Sequence, residues 1–142
     1  FHRKKQRELE LAHAASAKPR VIEVTANDTM KYNLATIEAK AGEEITIVGT
    51  SAGTLPKEAM GHNLVLLKKG TDAAAFAAAA AAAKDTDYIP AGLKDQVIGH
   101  TPVLGPRKSG EFTVKLEAGE YTFLCSFPAH YQIGMKGTVI VK

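Results

Sequence analysis

Alternation of apolar and polar residues is the feature that most limits how this chain can fold. The segment "EFTVKLE" places Phe112, Val114 and Leu116 on one side and charged or hydroxyl residues on the other. A period of two residues is typical of a strand with one buried face. Five further runs are rich in β-branched or aromatic residues, and glycines and prolines separate most of them: "ATIEAK", "EITIVG", "HNLVLLKK", "YTFLC" and "GTVIVK".

These runs continue through residues 20–142 without the regular alternation of strands and long helices that a parallel α/β sheet needs. About eight strands fit into a segment of this length. We therefore predict an all-β fold, an antiparallel sandwich or barrel built from short strands. An apolar fraction of 45% in 142 residues is sufficient for one domain with a hydrophobic core.

One segment interrupts the strand pattern. "TDAAAFAAAAAAAKD", from Thr71 to Asp85, is predicted to be a helix because alanine has the highest helix propensity. Thr71 or Asp72 can cap its N-terminus, and Lys84 suits its C-terminal end. We expect this helix to lie on the sandwich as a flap, with Phe76 as its main anchor.

The first 19 residues differ in composition from the rest. The opening stretch "HRKKQRELELAHAASAKPR" is dense in charge, Arg7–Ala15 is rich in helix formers, and Pro19 ends any helix. We predict a charged extension or linker over residues 1–19, helical in part, followed by one domain over residues 20–142. A solvated tail is its simpler interpretation, and a tether to a membrane anchor or a neighbouring domain is its functional one.

The segment "CSFPAHYQIGMKG" contains three side chains that a metal site could use. Cys125 is the only cysteine, His130 follows five residues later, and Met135 follows five residues after that. An electron-transfer copper site takes a thiolate, two imidazoles and a weak thioether. Taken singly, the cysteine and the methionine also suit an ordinary core. Their spacing on one loop between two strands favours copper.

A second imidazole has to come from elsewhere in the chain. The remaining histidines are His2, His13, His62 and His100. The first two fall in the charged extension, and His100 is interpreted as a surface or strand-edge residue. His62 opens the run "HNLVLL", which places it at an end of the sandwich, and the Cys125 loop also lies at a strand end. We therefore assign His62 as the second imidazole.

Three segments, "LPKEAMGHNLVL", "VIGHT" and "CSFPAHYQIGMKGTVIVK", resemble the azurin and auracyanin branch of the cupredoxins, the small blue copper proteins. The resemblance covers the chain from Val21 to Lys142. It implies an eight-stranded Greek-key β-sandwich with a helical flap, one type 1 copper ion, and one-electron transfer outside the cytoplasm. It also implies that the equatorial ligands are His62, Cys125 and His130, and that the axial ligand is Met135.

Neighbours of these ligands also match the family's motifs. The resemblance implies that the carbonyl of Gly61 is a candidate weak fifth contact. Asn63 and Phe127 resemble the residues whose backbone N–H groups point at the thiolate sulfur, where such bonds stabilise the thiolate and tune the reduction potential.

The chain departs from azurins at three points. Four residues separate His130 from Met135, whereas azurins have three, and this longer spacing resembles auracyanins. Azurins carry a disulfide, which a single cysteine excludes. Ser51 stands near the place of an azurin histidine linked to pH, so we expect no pH switch of that kind.

The residues that flank the ligand loops are apolar or small. We expect them to form an exposed docking surface around His130, with the solvent-side edge of its imidazole as the electron port. Lys57, Arg107 and Lys136 would add a basic rim that favours acidic partners. The expected docking residues are Leu55, Met60, Pro128, Ala129, Ile133 and Gly134.

Other function classes fit the sequence less well. A net charge of +3 is too small to indicate a nucleic-acid-binding protein. Five histidines are too few for a multicopper oxidase. A cysteine hydrolase would require an oxyanion motif, and none accompanies Cys125 and His130. We expect no enzyme activity and no small-molecule substrate.

The expected partners are redox proteins such as c-type cytochromes or a membrane electron-transfer complex. The alternative function is a periplasmic copper carrier or chaperone. The expected location is the periplasm or another extracytoplasmic space, with a membrane tether as a candidate role for residues 1–19.

Overall fold

A computed structural model describes residues 19–142, and the predicted helical extension before Pro19 lies outside this range. Eight strands form two sheets, as the sequence predicts. The strands are β1 (Arg20–Ala26), β2 (Thr36–Ala39), β3 (Glu44–Ser51), β4 (Val65–Leu67), β5 (Val97–His100), β6 (Ser109–Lys115), β7 (Gly119–Leu124) and β8 (Lys136–Val141).

The two sheets bury one shared hydrophobic core. Val24, Ile45 and Ile47 contribute from the three-stranded sheet, and Ile37 and Phe123 from the five-stranded sheet. All five side chains are at least 97% buried. The core sits between the facing sheets because each strand turns every second side chain toward the opposite sheet.

The burial predicted from the alternation in "EFTVKLE" is confirmed. Phe112 and Val114 pack partly buried against the core and Leu116 is buried within it, while Glu111 and Lys115 are exposed. The apolar face of β6 therefore points into the sandwich.

The sandwich is not purely antiparallel, and this part of the prediction is wrong. The strand orders are β1-β3-β6 and β2-β8-β7-β4-β5. The β1–β3 and β2–β8 pairs are parallel, while the other pairs are antiparallel. After β1 the chain crosses to the opposite sheet to form β2 and returns to form β3. Because of this crossover, β1 and β3 run in the same direction.

The alanine-rich segment forms a shorter helix than predicted. Three α-helices occur in the described range: α1 (Lys57–Met60), α2 (Ala73–Ala80) and α3 (His130–Ile133). Asp72 caps α2 by accepting a hydrogen bond from the Ala75 N–H, at 3.0 Å. From Ala82 to Asp87 the backbone hydrogen bonds shorten to spacings of three residues. Lys84 therefore lies in a separate 3-10 turn instead of at the end of α2.

Phe76 anchors α2 as predicted. Its side chain is fully buried and packs in a second core cluster with Val65, Leu67 and Leu124 from the five-stranded sheet. The helix is thus a flap on the outer face of that sheet. No helix within residues 19–142 has the length and apolarity needed to cross a membrane.

Candidate metal centre

Three separate segments bring the candidate ligands to one end of the sandwich. His62 lies just before β4, Cys125 directly follows β7, and His130 begins α3. One ligand atom from each lies within 4.8 Å of the other two, and all three residues are buried. The structure therefore brings together the two histidines and the cysteine that the sequence singles out.

His62 is held by backbone pairing and not by a strand. β4 begins only at Val65, so the expected strand start at His62 is three residues too early. The His62 N–H donates to the Leu104 carbonyl at 3.3 Å, and the Leu104 N–H donates to the His62 carbonyl at 2.7 Å. This two-bond bridge fixes the His62 backbone at the edge of the five-stranded sheet.

The side-chain atoms at this centre suit a soft metal ion. Cys125 Sγ lies 3.4 Å from His130 Nδ1, and the two imidazole rings are 5.0 Å apart between centroids. Both nitrogens of His62 are buried and have no hydrogen-bond partner. A buried polar atom without a partner is costly. One thiol and two imidazoles with a free nitrogen lone pair fit the donor set that copper prefers.

Burial keeps both imidazoles neutral. It lowers the pKa of His130 to about 4, and the neighbouring His62 lowers that pKa further. Burial also lowers the pKa of His62, although the nearby carboxylate of Asp28 opposes this change. Neutral imidazole is the form that binds metals, so both rings are ready to serve as ligands near neutral pH.

The thiol of Cys125 is held in its protonated form when no metal is bound. Burial raises its pKa to about 12, and the backbone N–H groups of Asn63 and Phe127 partly offset that effect. The Asn63 N–H lies 3.5 Å from Sγ. N–H groups that point at a sulfur atom stabilise negative charge on it.

The side chain of Asn63 joins the two ligand segments. Its Nδ2 donates to Ser126 Oγ at 2.8 Å, and its Oδ1 accepts from the Ser126 N–H at 2.7 Å. Both residues are buried. Sequence reasoning missed Ser126 and this clamp, because the two residues are 63 positions apart in the chain. The clamp holds His62 and Cys125 in register.

Met135 lies beside the cysteine in the core of this end. It is fully buried and packs in one cluster with Ala26 and Cys125. Its carbonyl accepts from the Cys125 N–H at 3.1 Å, and its N–H donates to the His130 carbonyl at 3.0 Å. The preceding Gly134 has a positive φ of 116°, which suits glycine and closes the longer loop.

Gly61 is buried where only glycine fits. A Cβ atom there would lie 2.6 Å from Val103 Cγ1, 2.8 Å from the Lys57 carbonyl oxygen and 2.9 Å from Phe127 Cε2. These contacts are closer than real Cβ atoms tolerate. The close packing holds the Gly61 backbone directly next to His62.

The expected docking residues are exposed to different degrees, and the expected electron port, His130, is nearly buried. Leu55 and Ile133 are 43% and 51% exposed, Ala129 is also exposed, and Met60 and Pro128 are half-buried. His130 is 2% exposed. The Phe127 ring packs beside its imidazole, with ring centroids 4.8 Å apart.

Other residues singled out in the sequence lie away from the cluster or at its rim. His100 is an exposed residue at the end of β5, and its Nδ1 lies 2.9 Å from the Thr101 carbonyl oxygen. The three expected rim residues, Lys57, Arg107 and Lys136, are exposed. Lys136 Nζ lies 5.0 Å from the centroid of the Tyr131 ring. Ser51 is buried.

Comparisons with known proteins agree with this site. The family model described as "Copper binding proteins, plastocyanin/azurin family" matches residues 20–142. The azurin of Alcaligenes faecalis is 41% identical over 123 residues, which cover 83% of this chain and 94% of that protein. The outer membrane protein H.8 of Neisseria meningitidis serogroup B is 40% identical over 111 residues, covering 75% of this chain and 60% of that protein.

Solved structures of blue copper proteins are also similar to this chain. A reduced auracyanin of Roseiflexus castenholzii superposes with a TM-score of 0.78 and 32% identity, covering 89% of this chain and 99% of that one. An azurin of Methylomonas sp. strain J superposes with a TM-score of 0.77 and 33% identity, covering 88% and 99%. With the buried His-Cys-His cluster, these matches identify a blue copper electron-transfer protein with one type 1 copper ion. The chain belongs to the plastocyanin/azurin family of copper-binding proteins.

Proposed function

We propose that His62, Cys125 and His130 are the equatorial ligands of the copper ion and that the domain carries single electrons between redox partners. When bound, copper supplies reversible one-electron cycling between Cu(II) and Cu(I). The observation that carries this proposal is the convergence of one thiol and two imidazoles within 4.8 Å in a buried site. The chain's own contribution is to hold these three side chains in place before metal arrives.

Burial of the three side chains favours electron transfer over the roles of an enzyme and of a copper carrier. His62, Cys125 and His130 are 1%, 0% and 2% exposed. A site this closed leaves no room for a substrate to reach the metal, so we propose that the chain is not an enzyme. A copper carrier would use the same ligands but would need an accessible site for release.

Addition of Cu(II) to the metal-free protein separates an electron carrier from a copper carrier. We expect an intense blue colour that survives a mild chelator, because the buried ligands make release slow. Absorption spectra recorded before and after the chelator are the measurement. A colourless complex, or one that the chelator strips at once, would favour the carrier role.

Met135 is our proposed axial ligand, and the Gly61 carbonyl is a proposed weak contact. Met135 is fully buried beside Cys125, and its backbone is bonded to both Cys125 and His130. These contacts support a thioether close to the three equatorial ligands. Such a ligand is long and weak, so its role is to tune the potential and not to retain the metal.

Met135→Leu is expected to keep copper and colour and to raise the reduction potential, because losing even a weak donor disfavours Cu(II). Voltammetry of the two proteins measures the midpoint. If Met135 only fills the core, the change is nearly isosteric, costs less than about 1.5 kcal/mol and leaves the potential unmoved. An identical midpoint would remove Met135 from the ligand set and leave the other three ligands in place.

We propose that the partners are redox proteins, c-type cytochromes or a membrane electron-transfer complex among them. They would meet the end of the sandwich where exposed Leu55, Ala129 and Ile133 surround the ligand loops. Three exposed cations, Lys57, Arg107 and Lys136, would favour a partner with an acidic rim.

We propose an extracytoplasmic location, with residues 1–19 as a tether to a membrane or a neighbouring domain and residues 20–142 as the copper domain. β1 begins at Arg20 and ends at Ala26, which packs against Cys125 and Met135. Seven strand residues span roughly 20 Å. The tether would therefore join the domain at the end opposite the metal centre and leave the docking end free. Similarity to the outer membrane protein H.8 supports this arrangement.

A further inference from the structure

All three proposed equatorial ligands are buried. The most exposed of them, His130, is only 2% exposed. Side chains packed between the ligands and the surface therefore influence how an electron leaves the site. The tertiary structure decides which side chains these are.

A row of two aromatic rings, Phe127 and Tyr88, leads away from His130. The Phe127 ring lies 4.8 Å from the His130 ring between centroids, at an interplanar angle of 40°. The Tyr88 ring lies 5.2 Å from the Phe127 ring, at 58°. Both distances fall in the range of roughly 4.5–7 Å that is typical of interacting aromatic pairs. Continuous contact therefore connects His130 to Tyr88.

The row ends at the protein surface. Tyr88 is half-buried and lines a cleft of about 300 Å³ together with Lys57, Lys84 and Phe127. None of the apolar docking residues lines this cleft. Tyr88 is thus a surface-reaching ring that contacts, through one other ring, a proposed copper ligand.

The backbone holds Tyr88 in an unfavourable conformation. Asp87 and Tyr88 have positive φ angles of 57° and 61°. For residues other than glycine such angles cost roughly 1–2 kcal/mol each. The Asp87 carboxylate accepts a hydrogen bond from the Val103 N–H at 2.9 Å, and the Tyr88 N–H donates to the Ala83 carbonyl at 2.9 Å. These bonds fix the ring against Phe127.

We propose that Tyr88 and Phe127 form an electron-coupling path between the metal centre and the cleft, distinct from the route through the apolar docking residues. The inference rests on the proposed electron-transfer function. One electron passes from a reduced donor at the cleft to the oxidised site, no bond forms or breaks, and no proton moves. Ring contact matters because electron transfer through protein weakens steeply with each gap between non-bonded atoms. Neither ring needs to be oxidised.

Attached redox labels test the path in the copper-loaded full chain. Lys84→Cys places a ruthenium polypyridyl label on the cleft, and Gln132→Cys places one on the exposed face of α3, outside the cleft. The native Cys125 is fully buried and does not compete for the label. Flash photolysis then measures the rate of electron transfer from each label to the copper site.

We expect Tyr88→Leu to slow transfer from the Lys84 label several-fold and to leave transfer from the Gln132 label unchanged. Tyr88→Phe keeps the ring and should retain the rate at both positions. Equal rates in the Leu variant and the unmodified Tyr88 protein would overturn the path. A loss with Tyr88→Phe would also overturn it, because it would show that the hydroxyl, and not ring contact, is required.

Two further measurements test the ring contact and the copper site separately from the electron path. In the metal-free protein, NMR should show the Phe127 ring resonances shifting in Tyr88→Leu and staying near their places in Tyr88→Phe. Unmoved Phe127 resonances in the Leu variant would contradict the ring contact itself. An unchanged blue band and midpoint in all variants shows that the metal site is intact. A protein that never turns blue would count against the proposed function, whereas a blue protein with unaltered label rates would count only against the path.

Discussion

Replacing Cys125 with serine is expected to abolish the blue colour completely. The colour of such a site is charge transfer from a thiolate sulfur to Cu(II), and Cys125 is the only cysteine in the chain. A hydroxyl is a harder and far weaker ligand for copper than a thiolate. Optical absorption of the Cu(II)-treated variant is the measurement, and we expect one-electron exchange with redox partners to be lost with the band.

Met135→Leu is the control for this substitution, because it also changes a fully buried sulfur residue in the same cluster. It should stay blue. A Cys125→Ser protein that remained blue would remove Cys125 from the site and would contradict the proposed function as a whole. Circular dichroism of both variants shows that the fold is retained.

Asn63→Ala is expected to cause the largest loss of stability among changes around the site. It removes both hydrogen bonds to Ser126 and leaves the buried Ser126 N–H and Oγ without partners. Removing one partner of a buried bond costs about 1–3 kcal/mol, so we expect a loss of about 2–4 kcal/mol in the free energy of unfolding. Denaturant unfolding of the metal-free protein measures this loss.

Ser126→Ala is the matched control because it removes only the bond between Asn63 Nδ2 and Ser126 Oγ. The bond from the Ser126 N–H to Asn63 Oδ1 remains. This variant should lose clearly less stability than Asn63→Ala. Equal losses would mean that the backbone bond contributes little and that Asn63 does not clamp the ligand segments together.

The general fold could be predicted because its evidence is local. Alternation in "EFTVKLE" reports which face of β6 is buried, and it does so without reference to any other strand. The capping role of Asp72 and the burial of Phe76 also follow from short-range chemistry. Strand pairing does not, since the parallel β1–β3 and β2–β8 pairs depend on where the chain crosses between sheets.

The sequence by itself indicated the candidate donor side chains and the proximity of two of them. Cys125 and His130 share one loop, so their proximity follows from spacing, and Met135 lies on the same loop. His62 could be chosen as the second imidazole only from its position at a predicted strand end and from the resemblance to cupredoxins. Only the tertiary structure decided that its ligand atom lies within 4.8 Å of those of Cys125 and His130, because strands distant in sequence had to meet at one end of the sandwich.

Tertiary structure alone also decided how deeply the site is buried and which side chains connect it to the surface. Sequence reasoning expected an exposed edge on His130, but the folded chain leaves that residue 2% exposed, with the Phe127 ring packed beside it. The Asn63–Ser126 clamp and the contact between Tyr88 and Phe127 each join residues far apart in the chain. Burial and ring contact depend on how distant segments pack in three dimensions, and no local spacing in the sequence encodes that packing.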